Sequence, residues 1–214
     1  MSLDALHQKL GENILKHHKE GKLFATKKNE GDEDEPLDLN KSEPVRTWEK
    51  YQDADKNGTL VYEPKEFTEN HQSKTKQEII DNGGAWKISF IEDLPNLSAE
   101  GKGKEIHGRK QFEAGKSPNV HLKTLQTDLQ HANEHGTTPE EWVIYFLTHL
   151  EEKNETIDDY QGKGKISWNL GGCLKESFDV PLAYWNRDVR RAYVDGRGAW
   201  YSASNYGVRS AVGI

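Results

Sequence analysis

One cysteine, Cys173, stands in a chain of 214 residues. That scarcity excludes an internal disulfide, a paired-cysteine metal site and a two-cysteine redox centre, and with them a secreted, disulfide-framed lectin. Long hydrophobic runs are missing too: no apolar stretch approaches the ~20 residues of a membrane span. Positive charge is in deficit, with 29 Lys and Arg against 36 Asp and Glu and a net charge of −7. Non-specific duplex binding rests on clustered cations that neutralise phosphates, so nucleic acid is a poor candidate partner. Apolar residues make up only 33% of the chain, and mean hydropathy is −0.95. What is there is aromatic: six Trp, eight Tyr and six Phe can anchor a core. The length suits one domain, or one domain with a tail. Met1-Ser2-Leu3-Asp4 leads into a polar helix pattern and not into a signal peptide. A cytoplasmic or virion-associated location without membrane insertion is therefore expected.

Leu3, Leu6, Leu10 and Ile14 recur at helical spacing, and Gly21 can stop the helix. Residues 1–22 are read as an N-terminal amphipathic helix docked on the main domain. Residues 23–45 are read as an acidic linker or surface loop, because 27–45 is charged, proline-containing and almost without large apolar side chains. Aromatics return at Trp48, so the domain proper spans 46–214. Asp53-Ala54-Asp55-Lys56-Asn57-Gly58 begins like a calcium loop, but Pro64 stands where the bidentate carboxylate is needed. A hairpin is predicted instead, with Asn57-Gly58 in a type I′ turn between 48–53 and 59–62.

Thr75 and Glu78 can form a capping box for a short helix ending at Gly83-Gly84. Trp86, Ile88 and Phe90 alternate with Lys87 and Ser89, which predicts a strand burying the three apolar side chains. The glycine- and lysine-rich stretch 95–116 lacks the strand–turn–helix setting of a nucleotide loop and is read as loop. Ser117-Pro118 opens a helix with Val120, Leu122, Leu125 and Leu129 on its apolar side. Thr138, Pro139 and Glu141 start another, whose apolar face is Trp142, Val143, Phe146, Leu147 and Leu150. His131, His135 and His149 lack the close-set partners of a metal site. No metal, cofactor or catalytic residue is assigned.

The most informative feature is where certain residue types stop. All 22 Lys, all 22 Glu, all 8 Gln and the single Met lie in residues 1–176, and residues 177–214 contain none of them. Five of the seven Arg fall in that last stretch: Arg187, Arg190, Arg191, Arg197 and Arg209. The tail is rich in Tyr, Trp, Arg, Asp, Ser, Asn and Gly. Antibody-like surfaces use this mixture, because rigid aromatics give contact area at low entropic cost and small polar residues adapt their hydrogen bonds.

Tyr206-Gly207-Val208-Arg209-Ser210-Ala211-Val212 resembles the closing strand of the formylglycine-generating-enzyme type of C-type-lectin fold. With WNRD (185–188) and AYVDGRGAWYSASNY (192–206), it resembles the variable proteins of diversity-generating retroelements. The pieces WKISFIEDLPN, HGRKQFEAG, TPEEW, LEEKNETIDDYQGKG and NLGG resemble that group as well, so the likeness runs over about residues 46–214. It implies an α+β, C-type-lectin-like fold, with two core-packing helices and a small antiparallel sheet carrying a hypervariable C-terminal region. In that family, adenines of a template copied into the gene's 3′ end are mutated. Asparagine codons of the AAC type then reach many residues, but not Lys, Glu, Gln, Met or Trp. The enzymatic relatives use two active-site cysteines and the calcium-dependent lectins a Glu-Pro-Asn or Gln-Pro-Asp motif. This chain has neither, so neither activity carries over.

The expected function is a binding module, not an enzyme, whose ligand is expected to be macromolecular, a protein in kind. Its expected contact residues are Tyr184, Asn186, Asp188, Arg190, Tyr193, Asp195, Arg197, Tyr201, Ser202, Ser204, Asn205 and Tyr206. Tyr and Arg would anchor, as at most protein interfaces. Trp185, Gly207, Val208 and Arg209 are expected scaffold: Gly207 relieves crowding, and Arg209 can pair with an internal carboxylate. Val212 is expected to be buried, and Trp200 fits either role. Two alternatives stand beside this reading. One is a viral or cell-surface structural protein without a variable ligand. The other is a hydrolytic enzyme drawing on Asp158-Asp159 or Glu151-Glu152, although adjacent acids do not define a positioned pair.

Overall fold

The computed structural model of the protein describes residues 1–27, 31–84, 88–106, 108–162 and 164–213. Trp86 and Lys87 of the predicted strand lie outside them. The described residues form an α+β fold with five α-helices and several small sheets.

The largest sheet has six strands. They are β1 (Val45–Thr47), β8 (Asp159–Tyr160), β9 (Ile166–Trp168), β11 (Asp179–Asn186), β12 (Arg191–Gly198) and β13 (Tyr206–Val208). Their order is β1-β12-β11-β9-β13, and β8 also pairs with β11. Eight-residue β11 and β12 are the longest strands and form an antiparallel hairpin in which Tyr184 faces Tyr193 and Leu182 faces Asp195. Strand β1 runs parallel to β12, with Arg46 beside Tyr193.

Two helices cover one face of this hairpin. In α1 (Leu3–Lys19), the Ser2 Oγ accepts from the Ala5 N–H at 3.3 Å, Asp4 sits in the first turn and Lys16–Lys19 in the last. Charge of each sign thus lies at the favourable helix end. Helix α5 (Pro139–Lys153) starts with the predicted capping box of Thr138 and Glu141 and stops at Asn154, which takes a left-handed conformation with φ 60°. Leu6, Leu10 and Ile14 of α1 and Trp142, Val143, Phe146 and Leu150 of α5 pack onto Ala183, Trp185, Ala192 and Val194. The opposite face of the hairpin is covered only in part. There Val180 and Leu182 join Trp168, Val208, Phe67, and Leu122 and Leu125 of α4 (Pro118–Thr127).

The smaller elements build out from this frame. Strands β2 (Leu60–Tyr62), β3 (Lys74–Thr75) and β10 (Gly172–Leu174) form one sheet, and β4 (Ser89–Ile91), β7 (Glu134–Gly136) and β14 (Ser210–Gly213) another. Strands β5 (Glu105–Ile106) and β6 (Arg109–Lys110) pair within the glycine-rich loop. Helix α3 (Lys76–Asp81) carries its predicted capping box and ends before Gly83 at φ 85°.

Several expectations are corrected. Residues 48–62 are not a hairpin: a 3-10 turn (Glu49–Tyr51) and a short helix α2 (Ala54–Asn57) precede β2, and Gly58 closes α2 in a left-handed conformation. Asp55 turns inward, where its Oδ2 accepts from the Leu3 N–H at 2.9 Å and from Lys76 Nζ at 2.7 Å. A helix N-terminus and an ammonium thus take the carboxylate that a hairpin would leave in water. Strand β4 exists, but Phe90 is 60% and Ile88 62% exposed. Pairing with Val212 and the hydrogen bond of Ser89 Oγ to Glu141 at 2.6 Å turn the polar side inward instead. Val212 lies on the same outer side and is 36% exposed. On α4, Val120 points outward, and Leu129 beyond it is exposed, while His121 takes an inward position. The acidic stretch 31–44 is a surface loop fastened to the body: Leu39 is buried against the α1–α5 core, and the Asn40 N–H donates to the Arg190 carbonyl at 2.8 Å.

Candidate functional site

Strand alternation divides β11 and β12 into two rows of side chains. The inward row, Ala183, Trp185, Ala192 and Val194, is at most 1% exposed. The other row carries Leu182, Tyr184 and Asn186 on β11, facing Asp195, Tyr193 and Arg191 on β12, with Arg197 opposite Val180. On this row Val180 and Leu182 of β11 join the core. Tyr184, Asn186, Tyr193 and Asp195 are half-buried and Arg197 is exposed. The small inward residues at the end of β12 have a packing cause. A Cβ on Gly196 would lie 2.3 Å from the Tyr51 hydroxyl, so the buried Tyr51 holds this strand to glycine while Arg197 next to it projects outward.

The open part of this face is rich in aromatic rings. Tyr184 and Tyr193 stack with ring centroids 5.5 Å apart, and Tyr160 meets Tyr184 edge-on at 5.7 Å. Tyr201 contacts Tyr206 at 5.2 Å, and Tyr206 contacts Trp168 at 5.1 Å, so the surface is rooted in the core. Guanidinium groups lie over the rings: Arg46 and Arg191 over Tyr193 at 6.0 and 5.4 Å, and Arg197 over Tyr201 at 4.9 Å. Such contacts contribute roughly 0.5–1 kcal/mol at exposed sites. Burial pushes the Tyr184 phenol up and that of Tyr206 up to about 12. Both stay neutral hydroxyls at physiological pH.

The structure brings Tyr184, Tyr193, Asp195, Arg197 and Tyr201 into one patch. Asp188 and Arg190 sit apart, on the turn that joins β11 to β12. Asn186 Oδ1 shapes that turn by accepting from the Asp188 N–H at 3.0 Å, and Gln161 donates to the Asp188 carboxylate. Ser202 and Ser204 are exposed on the segment leaving the far end of β12, about 20 Å from the turn at ~3.3 Å per residue. Asn205 is half-buried, and its carbonyl accepts from the Ile166 N–H at 2.8 Å. Tyr206, read from the sequence as a contact residue, is 6% exposed and belongs to the core. Parallel pairing of β13 with β9 places it against Trp168 and Tyr201.

Among the residues read as scaffold, Trp185 and Val208 are buried. A Cβ on Gly207 would approach Leu97 Cδ1 to 3.1 Å. Arg209 is 4% exposed and holds the fully buried Asp158, with Nη2 to Oδ1 at 2.6 Å. Asp158 also accepts from Trp142 Nε1 at 2.8 Å, and Arg209 donates to the carbonyls of Leu94 and Pro95. The adjacent Asp159 accepts from Arg187 Nε at 2.7 Å. The acid pair at 158–159 therefore serves two ion pairs. Cys173 is buried, and burial pushes its thiol up to about 11, which leaves little thiolate near neutrality.

Two contributors were missed in the sequence. Tyr160 enters through the parallel pairing of β8 with β11, and Arg46 through that of β1 with β12. Arginine scarcity was a usable signal for the second, since only Arg46 and Arg109 precede residue 177. Trp200 is 78% exposed and so does not serve as a core anchor. Comparison with protein-family models, curated proteins and solved structures finds no match to this chain. Among the described residues, no helix is long and apolar enough to cross a membrane, and no group of three or more His, Cys, Asp or Glu is placed to hold a metal ion.

Proposed function

We propose that this chain is a binding module with a C-type-lectin-like fold, that its ligand is a protein, and that its C-terminal surface is diversified by a retroelement. One observation carries the reading. A stretch without Lys, Glu, Gln or Met is threaded through β11 and β12 so that its Tyr, Arg, Asp and Asn side chains face outward, over an inward row of Ala, Val and Trp at most 1% exposed. Such a division lets the outer row change while the inner row keeps the backbone in place. Flat tyrosines and guanidiniums anchor most protein interfaces, and short polar side chains beside them adapt their hydrogen bonds.

Sequencing the 3′ end of the gene across isolates tests the reading. Differences should cluster at Tyr184, Asn186, Tyr193, Asp195, Arg197, Tyr201, Ser202 and Ser204 and spare Trp185, Val194 and Arg209. A tail invariant at the outward positions, or one varying equally at inward and outward positions, overturns the diversified surface.

A further inference from the structure

We propose that the partner docks on the tyrosine surface through an acidic polypeptide segment, its carboxylates alternating with apolar or aromatic side chains. This rests on reading the outward β11–β12 row as a binding surface. Five of the seven arginines already hold carboxylates. Arg109 pairs with Glu134 at 2.5 Å, Arg187 with Glu35 at 2.6 Å and Arg209 with Asp158 at 2.6 Å. Arg190 lies 3.9 Å from Asp38, and Arg191 pairs with Glu43. The other two are Arg46 and Arg197. Both are exposed, and neither has a carboxylate within ion-pair distance among the described residues.

In a chain with 36 acidic residues against 29 basic ones, two unpaired guanidiniums on one surface are a departure from the rest of the molecule. Each lies over a tyrosine ring of the patch, and its guanidinium carries five N–H donors in a planar fork. Those donors match a carboxylate with two parallel hydrogen bonds. Beside them, Tyr184 and Tyr193 offer stacked apolar area for the intervening side chains. Asp195 is the patch's own carboxylate, and its Oδ1 accepts from the Gly196 N–H at 2.8 Å. A single-stranded nucleic acid also uses aromatic stacking with arginine. The net charge of −7 opposes a polyanion, whereas a segment with a few carboxylates adds little repulsion.

The test is selection of randomised displayed peptides on the whole chain, followed by binding of the synthetic peptides to variants. The variants are Arg46→Gln with Arg197→Gln, and Tyr193→Ser with Tyr201→Ser, each checked for an unchanged melting transition. Selected peptides should be enriched in Asp and Glu. They should bind the arginine variant roughly tenfold or more weakly and weaken as salt rises. Peptides that need the tyrosines but show no acidic excess and ignore the arginine variant overturn the acidic partner and leave the binding surface standing. Peptides indifferent to both variants overturn the surface itself. Oligothymidylate binding that the arginine variant abolishes overturns the polypeptide partner in favour of a nucleic acid.

Discussion

The two faces of the β11–β12 hairpin are made by the same sixteen residues, yet they obey different chemistry. Toward α1 and α5 lie Trp185, Ala183, Ala192 and Val194, closed to water and locked by packing. Toward the open side lie Tyr184, Tyr193, Asp195 and Arg197, half-buried or exposed, with the two tyrosine rings stacked 5.5 Å apart. The period-two geometry of a strand lets neighbours in sequence belong to separate regimes. A substitution on one face need not disturb the other, and this is the property a changeable surface needs.

The sharpest contrast is expected at the ion pair that anchors the packed side. Arg209→Ala strands the buried Asp158, and losing one partner of such a pair costs about 3–5 kcal/mol. Trp185→Ala should cost a similar ~3–5 kcal/mol through lost burial and the cavity left behind. Denaturant midpoints for both variants check this. If either tolerated the change as an exposed residue does, the packed side would not be what holds the hairpin.

Acid should act next, on buried histidines beside both faces: His7 on α1 and His121 on α4. Burial holds the His7 and His121 imidazoles down at about 4, against an ordinary 6.5. The folded protein then binds fewer protons than the unfolded chain between those values. Their contribution to stability is complete above about pH 6.5 and falls as pH drops toward 4, by at most ~1.4 kcal/mol per pH unit for each histidine. A midpoint followed across that window should decline, and replacing both histidines by Gln should flatten the decline. An unchanged slope in the double variant would place the proton uptake elsewhere.

Smaller effects sharpen the division. Val212→Ala, on the outer side of β14 at 36% exposure, should cost less than about 1 kcal/mol, well below a buried Val or Leu. Single changes at Asp188, Arg190, Ser202 and Ser204 should each stay within ~0.5 kcal/mol, as exposed substitutions do. Midpoints as low as those of the Trp185 variant would make the open face ordinary core.

Much of this was legible in local signals. The helix caps at Thr75 and Thr138 and the apolar stripes of α1 and α5 stand where spacing placed them. Each involves residues within a turn or two of one another, and neighbouring dihedrals dictate their encounter. The 48–62 segment was misread because Asn57-Gly58 serves a hairpin turn and a helix end equally well. The decision lay with Asp55, whose partners Leu3 and Lys76 are 52 and 21 residues away.

Composition by itself marked the tail from residue 177 as a different kind of chain, and the outward residues named in it rested on the family resemblance. Only tertiary structure could bury Tyr206 against Trp168, set Arg46 beside Tyr193, bring in Tyr160 and give Arg209 to Asp158. Those pairings join strands far apart in sequence. A side chain's exposure depends on what arrives from the other strand, and a period read along one strand carries no record of it.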